Sequence, residues 1–77
     1  MSLEIMYHGI LAEAAGCQQE TVDHLATVSL LRKSLVKNHP GLKKLSFIFA
    51  INERIGHNDT GLNRGDRVTL IPPMPGG

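Results

Sequence analysis

Leu3, Ile5 and Tyr7 alternate with Glu4, Met6 and His8. That period of two predicts a first strand over residues 3–8, after which Gly9 lets the chain turn. Helix formers from Ile10 to Ala15, followed by Gly16, predict one or two turns of helix with a glycine stop. Glu20 to Leu25 alternates again and reads as a second strand, joined to the first as a near-hairpin. Thr27 is a good N-cap, Val28, Leu31 and Leu35 share one helical face, and His39-Pro40-Gly41 is a stop. This is the one long helix, and its apolar stripe is the cover for a sheet.

Phe47-Ile48-Phe49-Ala50-Ile51 is a short, wholly apolar run of strand formers. Such a run marks a third strand covered on much of both faces, a central one. Residues 52–57 continue into a short strand, turn clusters follow at 58–61 and 63–66, and Arg67 to Ile71 alternates once more. The predicted order is strand, short helix, strand, long helix and three strands, an α+β layer with one amphipathic helix over a mixed sheet. Within the last strand, Val68 and Leu70 face the helix while Thr69 and Ile71 face the open side. If strand one pairs alongside, Met6 and His8 share that open side, and Ile55 can join them. An exposed apolar Ile71 beside the chain end suggests a docking surface.

Composition narrows the class. The 77 residues are 42% hydrophobic and 19% charged, which suits one small globular domain spanning 1–77. Eight basic and seven acidic residues give a formal charge of +1, with the basic ones spread along the chain. Aromatics are Tyr7, Phe47 and Phe49 only, so a nucleic-acid surface is not expected. No apolar run reaches the roughly 20 residues of a membrane span, and no signal segment is visible. Cys17 is the single cysteine, so no internal disulfide forms, and the expected location is the cytoplasm. Met1-Ser2-Leu3 can include residues added for expression.

The chain ends Ile71-Pro72-Pro73-Met74-Pro75-Gly76-Gly77. Three prolines remove ladder donors, so the last strand stops there. In the polyproline form, the residues from Pro72 onward reach roughly 18 Å from the sheet edge, at about 3.1 Å each. Two glycines give the tip a very small cross-section, with the Gly77 carboxylate at its end. A carboxylate is a poor electrophile, but transfer of AMP onto it from ATP creates a good one, and a sulfur nucleophile can then displace the AMP.

These residues carry a resemblance. The opening strand leading into Leu11-Ala12-Glu13 and Gly16, the stretch Phe49-Ala50-Ile51-Asn52, Gly65-Asp66 before Val68, and Pro72-Pro73 before Gly76-Gly77 resemble the small subunits of molybdopterin synthase. More loosely, the chain is similar to the thiamin-pathway sulfur carriers of the same ubiquitin-like group, which are expected to lack the paired prolines. It departs at Tyr7 and His8, where the family often has Phe and Ala. The resemblance implies a β-grasp fold with about five strands in a mixed sheet under one main helix. It implies that Gly77, with Gly76 behind it, is adenylated by an E1-like enzyme using ATP and then becomes a thiocarboxylate fed by a sulfur donor. The loaded tail, 72–77, would enter the large synthase subunit, two carriers flanking a dimer of large subunits in a heterotetramer. There it would give sulfur to cyclic pyranopterin monophosphate. The chain alone would be non-catalytic and would bind no cofactor. Its partner-binding residues are expected to be His8, Ile55, Ile71, Pro72, Pro73, Met74 and Pro75.

Other signals compete poorly. His8, His24, His39 and His57 fall on separate elements without ligand spacing, so no metal site is expected. Cys17 reads as a packing residue, and Arg64-Gly65-Asp66 as a turn rather than an adhesion motif. Two functional alternatives stay open: a modifier that joins Gly77 to lysines of other proteins, and an interaction module with no chemistry at its tail.

Overall fold

In the computed structural model the described residues are 2–73. Five strands form one mixed sheet: β1 (Ser2–Tyr7), β2 (Gln19–Asp23), β3 (Ile48–Ile51), β4 (Arg54–Gly56) and β5 (Arg67–Ile71). Two helices interrupt them, α1 (Ile10–Ala15) and α2 (Val28–Asn38), with a 3-10 helix, Pro40–Lys44, after α2. The sheet order is β2-β1-β5-β3-β4. β5 runs parallel to β1 and antiparallel to β3, and the other neighbours are antiparallel. This is the β-grasp architecture that the resemblance implies.

Two expectations change. The middle strand is β5, while β3 lies between β5 and the short edge strand β4. β3 is also open on one face at its start, where Ile48 is exposed. Its apolar run came from an intimate pairing with β5 together with a solvent-facing isoleucine, which period alone does not separate from a strand covered twice. The 3-10 helix is the other addition. Pro40 ends α2 but is well suited to the first position of a new helical turn.

The core lies between the sheet and α2. Leu3, Ile5, Leu11, Val28, Leu31, Leu35, Val68 and Leu70 are fully buried. The stripe Val28-Leu31-Leu35 is therefore core, as its helical spacing predicts. Gly16 takes the left-handed conformation that ends α1, its N–H donating to the Ala12 carbonyl. Thr27 caps α2 through Oγ1, which accepts from Leu30 N–H. The loop after β4 completes that cap: Thr60 and Asn58 carbonyls accept from Val28 and Ser29 N–H at 3.0 and 2.9 Å. β4 can lie close to this packing because residue 56 is glycine. A Cβ there would stand 2.9 Å from Ile51 Cγ1.

Asn52 and Glu53 both have positive φ, 49° and 73°, the signature of a tight primed hairpin turn between β3 and β4. A clasp ties this turn to the start of β5. Asp66 Oδ1 accepts from Asn52 Nδ2 at 2.9 Å and Asp66 Oδ2 from Asn63 N–H at 2.8 Å. Asn52 Oδ1 in turn accepts from Arg67 N–H at 3.0 Å. The Gly65-Asp66 motif is thus mechanical: Gly65 takes a φ of 87°, and Asp66 spends its carboxylate on two turns.

Candidate functional site

The end of β5 is where the sequence predicts function. Ile71 pairs with Ile48 of β3, Pro72 is half-buried and Pro73 exposed. Because β5 is the middle strand, the chain leaves from the middle of the sheet end and not from its edge. Met74, Pro75, Gly76 and Gly77 lie outside the described residues, as does Met1.

The register assigns the faces. Met6 pairs with Thr69, Thr69 with Ala50, and Ala50 with Ile55, so these four residues form one cross-strand row. Ile48 and Ile71 form the next row on the same face, since they lie two residues along from Ala50 and Thr69. This is the face away from α2. Ile55 is 58% exposed and Ile48 36%, while Met6 and Ile71 are half-buried. Ile71 is less open than expected because Ile48 stands directly across from it. Sequence reasoning named Ile55 and Ile71 and missed Ile48, whose exposure depends on which face β3 turns to the helix.

β1 ends at Tyr7, so His8 sits one residue beyond the strand, exposed. Its carbonyl accepts from Leu11 N–H and starts α1. Together with Met6, Gln18 and Glu13 it lines a concavity of about 720 Å³ beside the row of Met6.

Behind this end of the sheet lies a polar knot. Glu20 Oε2 accepts from the Tyr7 hydroxyl and lies 2.6 Å from His39 Nε2. The Tyr7 and His39 rings meet edge to face at 5.9 Å. Burial, the hydrogen bond to Glu20 and that carboxylate's charge hold the Tyr7 phenol well above its ordinary range. Burial, then the Glu20 charge, pushes the Cys17 thiol up as well, which disfavours the thiolate that a nucleophile needs. His24 is bonded to the Leu62 carbonyl at 2.7 Å. Among the described residues no three of His, Cys, Asp and Glu gather as a metal site. No helix among them is long and apolar enough to cross a membrane.

The basic residues are less evenly spread than expected, five of the eight falling within residues 32–44. Arg32, Lys33, Lys37, Lys43 and Lys44 all sit on α2 and the 3-10 helix, a stretch without an acid. Arg32 stacks over Phe47 and Phe49 at 5.0 Å from each ring centre. Both rings are buried, so no aromatic surface accompanies the lysines.

A family model described as the ThiS family matches residues 5–77. The sulfur carrier subunit of molybdopterin synthase from Homo sapiens is 30% identical over 82 residues, covering 97% of this chain and 93% of that protein. SAMP1 from Haloferax volcanii, small archaeal modifier protein 1, superposes with a TM-score of 0.85 at 28% identity, all of both chains being covered. A chain in the complex of subunits 1 and 2 of the Helicobacter pylori molybdopterin-converting factor superposes at 0.71, with 25% identity over all of both chains.

Proposed function

The chain belongs to the ThiS family, and from that premise we propose that it is a sulfur carrier of molybdenum cofactor biosynthesis, working in the cytoplasm through the carboxylate of Gly77. The observation that carries the reading is the course of β5. The strand leading to Pro72-Pro73 and on to Gly76-Gly77 is the middle of the sheet, with Ile48, Ile55 and Ile71 on the open face beside its exit. An apolar face next to a thin, uncharged stalk suits a partner that grips the domain and threads the tail.

In this reading an E1-like partner transfers AMP from ATP to the Gly77 carboxylate and releases pyrophosphate. A sulfur donor then displaces AMP and leaves a thiocarboxylate. Thiocarboxylate sulfur is a soft nucleophile, and it attacks cyclic pyranopterin monophosphate inside the large subunit of molybdopterin synthase. Hydrolysis returns the carboxylate. A dithiolene needs two sulfur atoms and each tail carries one, so each substrate molecule takes sulfur from two loaded tails in succession. The likeness to a chain in the Helicobacter pylori complex of subunits 1 and 2 supports a large-subunit partner. Residues 72–77 act as the functional tail of the domain. In this reading catalysis at loading and delivery belongs mainly to partners; this chain positions and carries.

A second reading, conjugation of Gly77 to lysines of other proteins, is favoured by the likeness to a small archaeal modifier protein. Mass spectrometry of the chain incubated with its adenylating enzyme, ATP and a sulfur donor separates the two. Replacement of one oxygen by sulfur at Gly77 is the expected result. Conjugates of higher mass without that replacement would establish the modifier, and an unchanged mass would sink both.

A further inference from the structure

Among the described residues, β2 has a neighbour on one side only. The direction of its free backbone groups follows from the ladder. Tyr7 N–H donates to the Gln18 carbonyl at 2.9 Å, and the register pairs Met6 with Gln19 and Ser2 with Asp23. Bonded and non-bonded pairs alternate along an antiparallel ladder. Ile5 with Glu20 and Leu3 with Val22 are therefore bonded pairs, and Gln19, Thr21 and Asp23 turn N–H and C=O away from β1. Glu4, opposite Thr21, agrees: its N–H donates to Asp66 on the β5 side.

Gln19, Thr21 and Asp23 are all exposed. The edge has no proline or lysine, and its register runs without a bulge, so several usual devices for blunting a strand edge are missing. The opposite edge, β4, is only three residues long.

A groove of about 460 Å³ runs beside the β2 edge, between it and α2. Its floor is Val22 and Leu25, half-buried and packed on the core. Ser34 and Asn38 of α2 line its other side without charge. The ionisable residues lining it are Glu20 and Asp23, both acids. Glu20 is taken up by Tyr7 and His39, while Asp23 has no ion-pair partner among the described residues.

We propose that the β2 edge and its groove dock an extended, basic-aliphatic segment of a partner protein as a sixth strand. Backbone bonds to Gln19, Thr21 and Asp23 supply affinity. Aliphatic side chains over Val22 and Leu25 and a basic one beside Asp23 supply selectivity. The edge is separated from β5 by β1, so a segment held here leaves the open face and the tail free. Strand addition at this edge is independent of chemistry at Gly77.

The test is a nuclear magnetic resonance titration of the full chain with the peptide acetyl-Arg-Val-Thr-Val-Lys-amide. Shifts are expected at the amides of residues 19–25 and of Ser34 and Asn38. Thr21→Pro removes one outward N–H and no ladder donor to β1, and it should weaken the peptide about tenfold. Asp23→Lys should weaken this peptide and strengthen acetyl-Glu-Val-Thr-Val-Glu-amide; it decides the matter if Thr21→Pro does not fold. Absence of binding, shifts centred on Ile48, Ile55 and Ile71, or equal binding of both peptides by the parent chain would overturn the proposal. So would concentration-dependent shifts of β2 without peptide, which would assign the edge to a second copy.

Discussion

β5 is held very differently at its two ends. At its start, Asp66 and Asn52 exchange side-chain bonds with two turns and with the Arg67 backbone. At its other end Ile71 faces Ile48, and the chain runs on into proline, with no ladder donor at Pro72 or Pro73. The same short strand thus joins an end tied by side-chain bonds to an end where the ladder stops at proline. The contrast separates two motifs that look alike in sequence, each small and glycine-bearing: Gly65-Asp66 is explained by mechanics, while Gly76-Gly77 lies outside the described residues and has its place in the proposed sulfur chemistry.

The largest expected effect breaks the proline end. Deleting Gly77, or adding one residue after it, should abolish sulfur loading in mass spectrometry while the melting temperature stays unchanged. The mirror experiment breaks the anchored end. Asp66→Ala removes the acceptor for Asn52 Nδ2 and Asn63 N–H, and should cost about 2 kcal/mol. In a domain this small that lowers the melting temperature by roughly 10 °C, readable by calorimetry, with loading per folded molecule unaltered. If both variants lost loading and stability together, the division of labour would be wrong.

Ile55→Asp sharpens the comparison on the open face. Ile55 is already exposed, so stability should hold while affinity for the large subunit falls about tenfold in isothermal titration. Ile71→Asp should weaken the same complex without unfolding the domain.

Tyr7 stands opposite Leu70, near the proline end. Its phenol is raised above its ordinary value of 10.0 in the folded state, so the folded chain holds that proton more tightly than the unfolded one. Stability from this group is complete below pH of about 10 and declines as pH rises beyond it. Denaturant melts at several alkaline pH values should show that decline, and Tyr7→Phe should flatten it. The smallest effect is at the turn: Glu53→Gly relieves a left-handed conformation and should add a few tenths of a kcal/mol up to about 1.

Much of this was legible from local chemistry. The Thr27 cap, the Gly16 stop, the Val28-Leu31-Leu35 stripe and the Arg67 to Ile71 alternation each depend on residues within one turn or one strand. The end of β1 at Tyr7 and the start of β4 at Arg54 were less so, because each is decided by where a neighbour stops pairing.

What the sequence by itself determined is therefore the five strands, the two α-helices and the helix face that must be buried, since propensity, capping and periodicity act over a few residues. Only the tertiary structure decided that β5 lies in the middle, that Ile48 shares the open face with Ile55, and that Asp66 reaches Asn52. It also decided that Glu20 ties Tyr7 to His39 and that β2 has no second strand neighbour among the described residues. Those facts rest on pairings between residues far apart in the chain, and their energies exist only once the sheet has closed around β5.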